Sequence, residues 1–290
     1  MQPLQALYDV AAPAKLNLFL HVTGKRADGY HLLQSVFMLI NWCDTLHFAL
    51  RTDGQITRED LNPGEASAAR LPADDLTVRA AKALQRASAT TLGVHIGLHK
   101  RIPAQAGMGG GSSDAASCLL ALQRLWDVRL PPSELNALAL RLGADVPFFL
   151  SGGHAWVEGI GEKITPILLP AARFVVVKPP AGLATQDIFQ APLLKRDTET
   201  ATLHGFATRT DNELFKFGKN DLQPGAQQLC APLSQSLDWL AGQQLDGRMT
   251  GSGSAVFARL PDRGQQLHIA PSGWTVHQCS NLQTHPLAGW

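Results

Sequence analysis

The chain has 290 residues, of which 45% are hydrophobic and 17% charged, so it has the composition of a globular protein and the length of about two domains. Its net charge of +1 excludes functions that need a strongly basic surface, such as field-driven binding to nucleic acid or to an anionic membrane. Its apolar runs are too short to cross a bilayer, and its N-terminus lacks a signal-peptide pattern. Because its 4 cysteines are widely scattered, they fit neither a zinc site nor a disulfide framework, and we expect a cytoplasmic protein with reduced thiols.

The first predicted elements are strands. Apolar residues alternate from Leu16 to Val22 after a short entry segment, which is the period of a strand with one buried face. Lys15 and Asn17 share the opposite face, and a solvated strand face with an extended lysine is the simplest interpretation of this pair alone. Further strands are predicted over residues 34–40 and 45–50, separated by a turn, then an irregular excursion over 51–74 and a strand over 92–98.

The most distinctive stretch runs from Pro103 to Ala116. Every residue from Gly107 to Gly111 except Met108 is glycine, and the stretch lies between a predicted strand and a predicted helix. Glycines let backbone N–H groups converge without obstruction by Cβ atoms, and the helix end adds partial positive charge. The stretch therefore predicts an anion site, usually for phosphate. An ordinary flexible turn is the alternative, although it would gain nothing from so many glycines.

Helix start signals mark several segments of the chain. Asp75 is predicted to cap a helix over 76–86, and Ser133 one over 134–142. Asp145 stands before Val-Pro, where a helix cap and a chemical role are equally good interpretations of the residues. Later predicted elements are a hairpin over 154–160 and 163–169, strands over 174–177, 255–260 and 274–279, and helical patterns over 214–217 and 226–240, the last of them broken near Pro232.

The intermixed strands and helices lack a strict βαβ alternation, which predicts an α+β protein of two domains. A link rich in proline and alanine near residue 170 places the boundary so that residues 1–168 form the N-terminal domain and residues 169–290 the C-terminal domain. A second glycine cluster, Gly247–Ser254, runs directly into a predicted strand of the C-terminal part.

The common nucleotide-binding and catalytic motifs are absent. Gly218-Lys219 is followed by Asn220, so there is no Walker-type loop, and Ser112 replaces the last glycine of the dinucleotide fingerprint. The paired motifs of the protein kinases and the nucleophile elbow are also missing. His95 and His99 are four residues apart on a predicted strand without a neighbouring carboxylate, so we expect no metal site there.

What remains is a phosphate cradle together with a few reactive groups. Phosphoryl transfer needs a clamp on the donor phosphates, neutralisation of charge, and a group that orients or deprotonates the acceptor hydroxyl. The glycine stretch supplies the clamp, and the hydroxyls of Ser112 or Ser113 could touch phosphate or Mg²⁺. Lys15 and Asp145 are candidates for the remaining two tasks.

Three segments at this order and spacing resemble the GHMP kinase superfamily, namely Pro13–Leu18, Pro103–Ala116 and Thr250–Ala255. The resemblance extends over most of the chain, from about Ala12 to Ala258. It is strongest toward members that phosphorylate the C2 hydroxyl of 4-(cytidine 5′-diphospho)-2-C-methyl-D-erythritol in the non-mevalonate route to isoprenoid precursors. Further segments that carry this narrower resemblance are Arg26–His31, Leu142–Pro147 and Glu158–Glu162.

The resemblance implies an ATP-dependent small-molecule kinase whose two α+β domains enclose the active site in the cleft between them. Another GHMP kinase, acting on homoserine or mevalonate, and a nucleotide-binding module without catalysis stay open as alternatives. No nucleic acid or membrane partner is expected, and the oligomeric state is left open. Because no carboxylate is set aside for a metal, Mg²⁺ is expected to be held mainly through the ATP phosphates and water.

The resemblance also assigns roles to single residues. Lys15 and Asp145 match the catalytic lysine and aspartate. The positions matching the ATP site are Asp75, Leu76 and Lys100 near the adenosine, and Pro103, Ala104, Gln105, Ala106, Gly107, Met108, Gly109, Gly110, Gly111, Ser112 and Ser113 in the phosphate loop. The positions matching the substrate site are Asn17, Tyr30, Thr185, and His31 with Phe189 around the cytosine.

Two aspartates and two aromatic residues leave open questions within this resemblance. An aspartate at position 75 cannot donate a side-chain hydrogen bond to adenine or ribose. Asp114 brings negative charge toward a triphosphate, which is unfavourable unless its side chain turns away and caps the following helix. For Tyr30 and Phe189, plain packing is the alternative to a contact with the substrate.

Overall fold

The computed structural model describes residues 4–62, 71–192, 194–261 and 266–290. The strands are β1 (Ala6–Lys25), β2 (His31–Arg51), β3 (Ile56–Asp60), β4 (Gly93–His99), β5 (Ala155–Gly159), β6 (Lys163–Pro166), β7 (Arg173–Lys178), β8 (Arg248–Met249), β9 (Val256–Leu260) and β10 (Thr275–Ser280). The helices are α1 (Leu76–Ser88), α2 (Gly110–Leu125), α3 (Pro132–Leu142), α4 (Val146–Leu150), α5 (Thr185–Gln190), α6 (Leu203–Ala207), α7 (Asp211–Lys216), α8 (Gln223–Leu229) and α9 (Ala231–Ala241).

Two sheets organise these elements, and the predicted α+β class is confirmed. A 6-stranded sheet has the order β3-β4-β2-β5-β6, with β1 paired to β2, and a 4-stranded sheet has the order β10-β7-β9-β8. The pairs are antiparallel except for β3 with β4. All strands of the first sheet precede residue 169 and all strands of the second follow it. The domain boundary at that position stays a prediction that agrees with this division.

The prediction that β1 has a solvated face was wrong. Lys15 is only 3% exposed and Asn17 only 1% exposed. The strand crosses from the core of the first sheet into that of the second, because Leu16 packs with residues of both halves while Leu20 and Val22 pack with the second half. Elements distant in the sequence also cover the opposite face, because the Gly107 carbonyl accepts from Lys15 Nζ and Thr250 Oγ1 accepts from the Asn17 N–H. A charged side chain therefore lies inside the molecule.

The predicted turn before residue 45 is also absent, because β2 is one continuous strand. It pairs with β1 along most of its length, with β5 through its first half and with β4 through its second half. The two polar residues at the ends of the predicted turn, Asn41 and Asp44, have hydrogen-bond partners within the fold. Asn41 Oδ1 accepts from the Ser280 N–H at 2.9 Å, and Asp44 Oδ1 accepts from the N–H groups of Arg101 at 2.5 Å and Ile102 at 2.8 Å.

Several smaller expectations also changed. The predicted cap at Ser133 was wrong, because α3 begins one residue earlier with Pro132, a residue suited to the first helical turn. The expected irregular excursion contains β3, and its residues 63–70 lie outside the described part of the chain. The helical pattern over 226–240 is divided at Cys230 between α8 and α9. The predicted cap of α1 is confirmed, since Asp75 accepts from the Val78 N–H at 3.1 Å.

The last residues of the chain return to the first sheet. Leu282 N–H donates to the Leu39 carbonyl at 3.0 Å, and His285 N–H donates to the Gly152 carbonyl at 2.9 Å. Leu287 is buried in the same core as α2 and β4. The chain end therefore ties the second half to the first. Among the described residues, no helix has the length and apolar character needed to cross a membrane.

Two buried histidines in this region make the fold sensitive to acid. His154 Nδ1 accepts from the Leu39 N–H and His285 Nδ1 from the Leu287 N–H, so each ring keeps its proton on Nε2. Each side chain is about 2% exposed, and burial lowers the pKa of both histidines to about 4. The neutral rings therefore stabilise the fold above the unfolded-state pKa of about 6.5, and this contribution is lost as the pH falls toward 4.

We expect the free energy of unfolding to fall between pH 7 and pH 4, by up to about 3 kcal/mol for each of these histidines. Urea titrations at several pH values measure it. A variant with His154→Gln and His285→Gln should show a shallower dependence on pH, whatever its stability at pH 7. His204→Gln, at an exposed histidine, is the matched control. An equally steep dependence in the double variant would contradict the assignment.

Candidate active site

A cavity of about 710 Å³ lies where the two halves of the chain meet. One wall comes from β1, the glycine stretch and the start of α1, and the other from α5 and the second glycine cluster. Every predicted site residue lines this cavity except Tyr30, His31 and Ser113. Nearly all the site residues that were predicted from the sequence therefore line a single pocket.

The phosphate loop, residues 103–113, connects the end of β4 to the N-terminus of α2 as predicted. Gly109 occupies the N-cap position in the left-handed region (φ 70°) and provides no side-chain cap. The N-terminus of α2 therefore opens on the cavity with backbone N–H groups and the positive end of the helix dipole, an arrangement suited to phosphate.

The second glycine cluster packs directly on this loop. Ser254 N–H donates to the Gln105 carbonyl at 3.1 Å, and Ala255 N–H donates to the Ala106 carbonyl at 3.3 Å. A Cβ atom added at Gly107 would lie 2.2 Å from the carbonyl oxygen of Thr250. Only glycine permits this approach of two backbones, so both glycine clusters build one loop structure.

Lys15 lies beneath the loop and borders the cavity, and its ammonium group stands among three acceptor groups. Its Nζ donates to Asn17 Oδ1 at 2.5 Å and to the Gly107 carbonyl at 3.0 Å, and it lies 3.8 Å from Asp145 Oδ2. The ammonium also stands 4.7 Å from the centre of the Phe37 ring. Burial lowers the pKa of Lys15, and the nearby Asp145 carboxylate partly offsets that effect.

Asp145 occupies the N-cap position of α4 but makes no side-chain hydrogen bond to the helix. Its side chain is 32% exposed, lines the cavity and is paired with Lys15. The chemical interpretation of this residue therefore fits the structure better than the helix cap does. The ammonium and the carboxylate stand together beside the phosphate loop, where an acceptor hydroxyl can approach from the cavity.

Asn17 holds Lys15 in place and has little freedom of its own. Its Nδ2 donates to Ser35 Oγ at 2.9 Å, and its backbone N–H donates to Thr250 Oγ1 at 2.9 Å. Because its Oδ1 accepts from Lys15, the amide is committed in the described structure to orienting the lysine. Its predicted contact with the substrate stays a prediction, although the residue borders the cavity.

Two of the predicted ATP contacts, Ser113 and Lys100, have side chains that are already buried or paired. Ser113 is 0% exposed and lies outside the cavity lining, which leaves Ser112 as the hydroxyl of the loop that borders the cavity. Lys100 Nζ pairs with Asp114 Oδ2 at 2.7 Å and with Asp44. The Asp114 carboxyl group pairs with Lys100 and does not cap the helix, which was one way in which its side chain could turn away from a triphosphate.

At the end of the cavity predicted to hold adenosine, Asp75 pairs with an arginine that the sequence did not indicate. Arg58 NH1 lies 2.9 Å from Asp75 Oδ1, and its side chain is only 8% exposed. Asp75 therefore serves as a helix cap and as a partner of Arg58, while Leu76 borders the cavity beside it. The predicted contact of Asp75 with adenosine stays a prediction for which the carboxylate can act only as an acceptor.

The predicted cytosine residues form a stack at the other end. The ring centroids of His31 and Phe189 are 5.0 Å apart with an angle of 26° between the planes. Arg196 holds both, since its Nε donates to His31 Nε2 at 3.1 Å and its NH2 donates to the Phe189 carbonyl at 3.1 Å. Tyr30 is 61% exposed and does not line the cavity, so nothing in its position favours the substrate role.

Proteins of similar sequence identify the family of this chain. Residues 75–153 match the family described as GHMP kinases N terminal domain. A protein of a Polaromonas species, named 4-diphosphocytidyl-2-C-methyl-D-erythritol kinase, is 72% identical over 295 residues, covering 100% of this chain and 96% of that protein. The chain belongs to the GHMP kinase family. It is a small-molecule kinase, and its relatives at this level of identity carry that same enzyme name.

Solved structures of GHMP kinases share the fold. A crystal structure titled 4-(cytidine 5′-diphospho)-2C-methyl-D-erythritol kinase matches with a TM-score of 0.72 at 31% identity, covering 93% of this chain and 98% of that one. Homoserine kinase from Cytophaga hutchinsonii matches with a TM-score of 0.70 at 14% identity, covering 98% of this chain and 97% of that one, and this likeness concerns the fold alone.

Four residues that shape this GHMP kinase site were missed at the sequence level. They are Asp44, Arg58, Arg196 and Thr250. Asp44 lay in a stretch predicted to be a turn, and Arg58 and Arg196 lay in stretches of weak periodicity. Thr250 belongs to the second glycine cluster, whose sequence carried the family resemblance but indicated no contact with Asn17.

Proposed function

We propose that this enzyme transfers the γ-phosphoryl group of ATP to the C2 hydroxyl of 4-(cytidine 5′-diphospho)-2-C-methyl-D-erythritol, a step toward isoprenoid precursors. The observation that carries the proposal is the Lys15–Asp145 pair at 3.8 Å beside a phosphate loop at a helix N-terminus. The name of the relative that is 72% identical over the full chain supports this choice of substrate.

The proposed chemistry uses positioning and charge more than strong basicity. The backbone N–H groups of the loop and the dipole of α2 hold the ATP phosphates. Lys15 offsets the charge that builds on the transferred phosphoryl group and pairs with Asp145 beside it. Because an aspartate is a weak base toward an alcohol, Asp145 accepts the hydroxyl proton late, as the new P–O bond forms in the enclosed cleft.

The use of ATP agrees with the family, whereas the involvement of Mg²⁺ is a proposal. Within the described ranges, no group of three or more His, Cys, Asp or Glu side chains comes together as metal ligands. The cavity carboxylates of Asp75 and Asp145 already face Arg58 and Lys15. We therefore propose that Mg²⁺ would be held mainly by ATP phosphates and water, with Ser112 as an available hydroxyl; bound there, it would neutralise phosphate charge.

The cytosine pocket is proposed to centre on Phe189. A base between two rings needs a centroid spacing of about 7 Å, twice a van der Waals contact, and His31 and Phe189 are closer than that. Phe189 borders the cavity and His31 does not. The cytosine is therefore placed on the cavity side of Phe189, while His31 supports the ring from behind.

Phe189→Ala should raise KM for the cytidine substrate by roughly tenfold, because a stacked base contributes about 1–3 kcal/mol. KM for ATP should stay within about twofold, since a stacking partner for cytosine makes no contribution to the ATP end of the cleft. Steady-state kinetics with each substrate varied in turn measures both constants. Phe189→Leu keeps apolar volume without an aromatic face, so a normal KM in that variant would assign Phe189 to packing instead.

The alternatives are separated by one assay of the purified enzyme. ADP release is measured with ATP and, in turn, the cytidine substrate, mevalonate and homoserine. Turnover with mevalonate or homoserine but not with the cytidine substrate would overturn the proposed acceptor. ATP binding without turnover on any of them would favour a non-catalytic nucleotide-binding module, against which the pairing of Lys15 with Asp145 argues.

A cytoplasmic location is part of the same proposal. The four cysteines are free in the structure, and Cys118, Cys230 and Cys279 are buried, as suits a compartment that keeps thiols reduced. The proposed partner is the small-molecule substrate alone.

A further inference from the structure

A buried group of three charged side chains lies at the base of the phosphate loop. Lys100 follows β4, Asp44 comes from β2, and Asp114 lies in the second turn of α2. Lys100 Nζ donates to Asp114 Oδ2 at 2.7 Å and to Asp44 Oδ2. Asp44 is 0% exposed, Asp114 1% and Lys100 8%. One ammonium group thus joins two carboxyl groups from separate elements.

The segment that enters the loop is fixed by side chains at successive backbone groups. Lys100 N–H donates to Asn62 Oδ1 at 3.1 Å, and Asn62 Nδ2 donates back to the Lys100 carbonyl at 2.8 Å. Asp44 Oδ1 accepts from the next two N–H groups, those of Arg101 and Ile102. Asp44 therefore binds the entry segment through one oxygen and the Lys100 ammonium through the other.

The segment that leaves the loop rests on the same group. A Cβ atom added at Gly110, the first residue of α2, would lie 3.1 Å from Ile102 Cγ2 and 3.4 Å from Lys100 Nζ. Asp114 is one helical turn farther on and completes the link to Lys100. The loop between Ile102 and Gly110 therefore begins and ends on one set of buried contacts.

We propose that Asp44, Lys100 and Asp114 form a clamp that fixes both ends of the phosphate loop, so that ATP meets a loop already in its binding shape. The inference rests on the proposed function of the loop as the ATP site. Lys100 is then a positioning residue that acts through the loop, because its ammonium is committed to carboxyl groups. A loop held in advance loses less conformational freedom when the nucleotide binds.

The charge of the clamp is compatible with a neighbouring triphosphate. Burial raises the pKa of Asp114 to about 8, and the Asp44 carboxylate adds to this although Lys100 opposes it. Because these effects disfavour a second buried negative charge beside Asp44, the clamp brings less negative charge to the loop than two ionised carboxylates would. Asp114 Oδ1 has no hydrogen-bond partner among the described side chains and backbone and is available to hold a proton.

Two substitutions at Asp114 test the clamp with the full-length enzyme. Asp114→Asn keeps an oxygen that accepts from Lys100, whereas Asp114→Leu removes it at similar volume. We expect Asp114→Leu to weaken ADP binding, measured by calorimetry without the cytidine substrate, by about tenfold or more, and to raise KM for ATP by a similar factor. Asp114→Asn should stay within about threefold of the wild type, and KM for the cytidine substrate should stay within about twofold in both.

The outcomes separate the clamp from the proposed function. Wild-type enzyme that binds no adenine nucleotide would overturn the ATP site and the clamp together. Wild-type binding with equal binding by folded Asp114→Leu, or an equal rise of both KM values, would overturn the clamp alone. If thermal unfolding shows that Asp114→Leu does not fold, the variant that combines it with Lys100→Met replaces it. That variant removes the ammonium group together with the Asp114 carboxyl group and leaves Asp44 on two backbone N–H groups.

Discussion

Asp145→Asn is expected to lower kcat by roughly 10²- to 10⁴-fold, the range that a positioned general base contributes. Asparagine has nearly the same shape but cannot accept the proton of the acceptor hydroxyl, and it also leaves the buried Lys15 ammonium without its carboxylate. The affinity for adenine nucleotide should change by no more than a few-fold, because the loop backbone that is proposed to bind the phosphates is untouched. ADP release gives kcat, and calorimetry with ADP gives the affinity.

Asp74→Asn is the matched control for this experiment. Asp74 also borders the cavity, but its exposed carboxylate pairs with Lys82 at 2.7 Å. The substitution Asp74→Asn therefore makes the same change of charge in the same cleft without affecting the contacts of Lys15, and kcat should stay within about threefold of the wild type. Turnover by Asp145→Asn within about tenfold of the wild type would remove Asp145 from the proposed mechanism, since a lost general base costs more than that.

The position of the glycine-rich loop between a strand and a helix could be predicted because the sequence pattern that indicates it is local. Glycines between a strand and a helix have backbone freedom that can be identified without knowing the rest of the fold, and Gly109 does occupy the left-handed region. The cap of α1 at Asp75 was predictable for the same reason, since a cap and the N–H group that it binds are only three residues apart.

Burial of the Lys15 face could not be predicted from the alternation of β1. A strand shows which residues share a face, whereas the cover of that face depends on segments far away in the chain. Here Thr250 binds the Asn17 N–H across a separation of 233 residues, and Gly107 accepts from Lys15 across 92 residues. The ion pairs of Lys100 could not be predicted either, because Asp44 is 56 residues away in a predicted turn and Asp114, 14 residues away in the glycine stretch, gave no indication of a contact with Lys100.

The resemblance predicted a cytosine pocket, and the positions of the two aromatic residues in the structure refine that prediction. It related His31 and Phe189 to one base, but the two rings are in contact with each other and only Phe189 borders the cavity. Arg196 links them from a stretch without regular periodicity. A family motif transfers the identity of a residue, while its geometry depends on neighbours that the motif does not include.

Gly107→Ala should reduce kcat/KM for ATP by about 100-fold, because a shift of the loop by about 1 Å is enough to misplace a reacting group to that extent. Gly107 has φ 72°, and its added Cβ atom would lie 2.2 Å from the Thr250 carbonyl oxygen and 2.9 Å from the Gly253 nitrogen. Both obstacles are backbone atoms, which cannot rotate away as a flexible side chain can. Either the loop or the second glycine cluster must therefore move.

Gly152→Ala separates this packing effect from backbone strain. Gly152 has a comparable φ of 85°, but an added Cβ atom there would meet nothing within 4 Å. The substitution Gly152→Ala should lower the free energy of unfolding by about 1–2 kcal/mol through backbone strain alone, and it should leave kcat/KM for ATP within about twofold of the wild type. Thermal unfolding and steady-state kinetics on both variants measure the two effects. Equal losses of kcat/KM in the two variants would show that strain, and not the contact between the glycine clusters, accounts for the effect at Gly107.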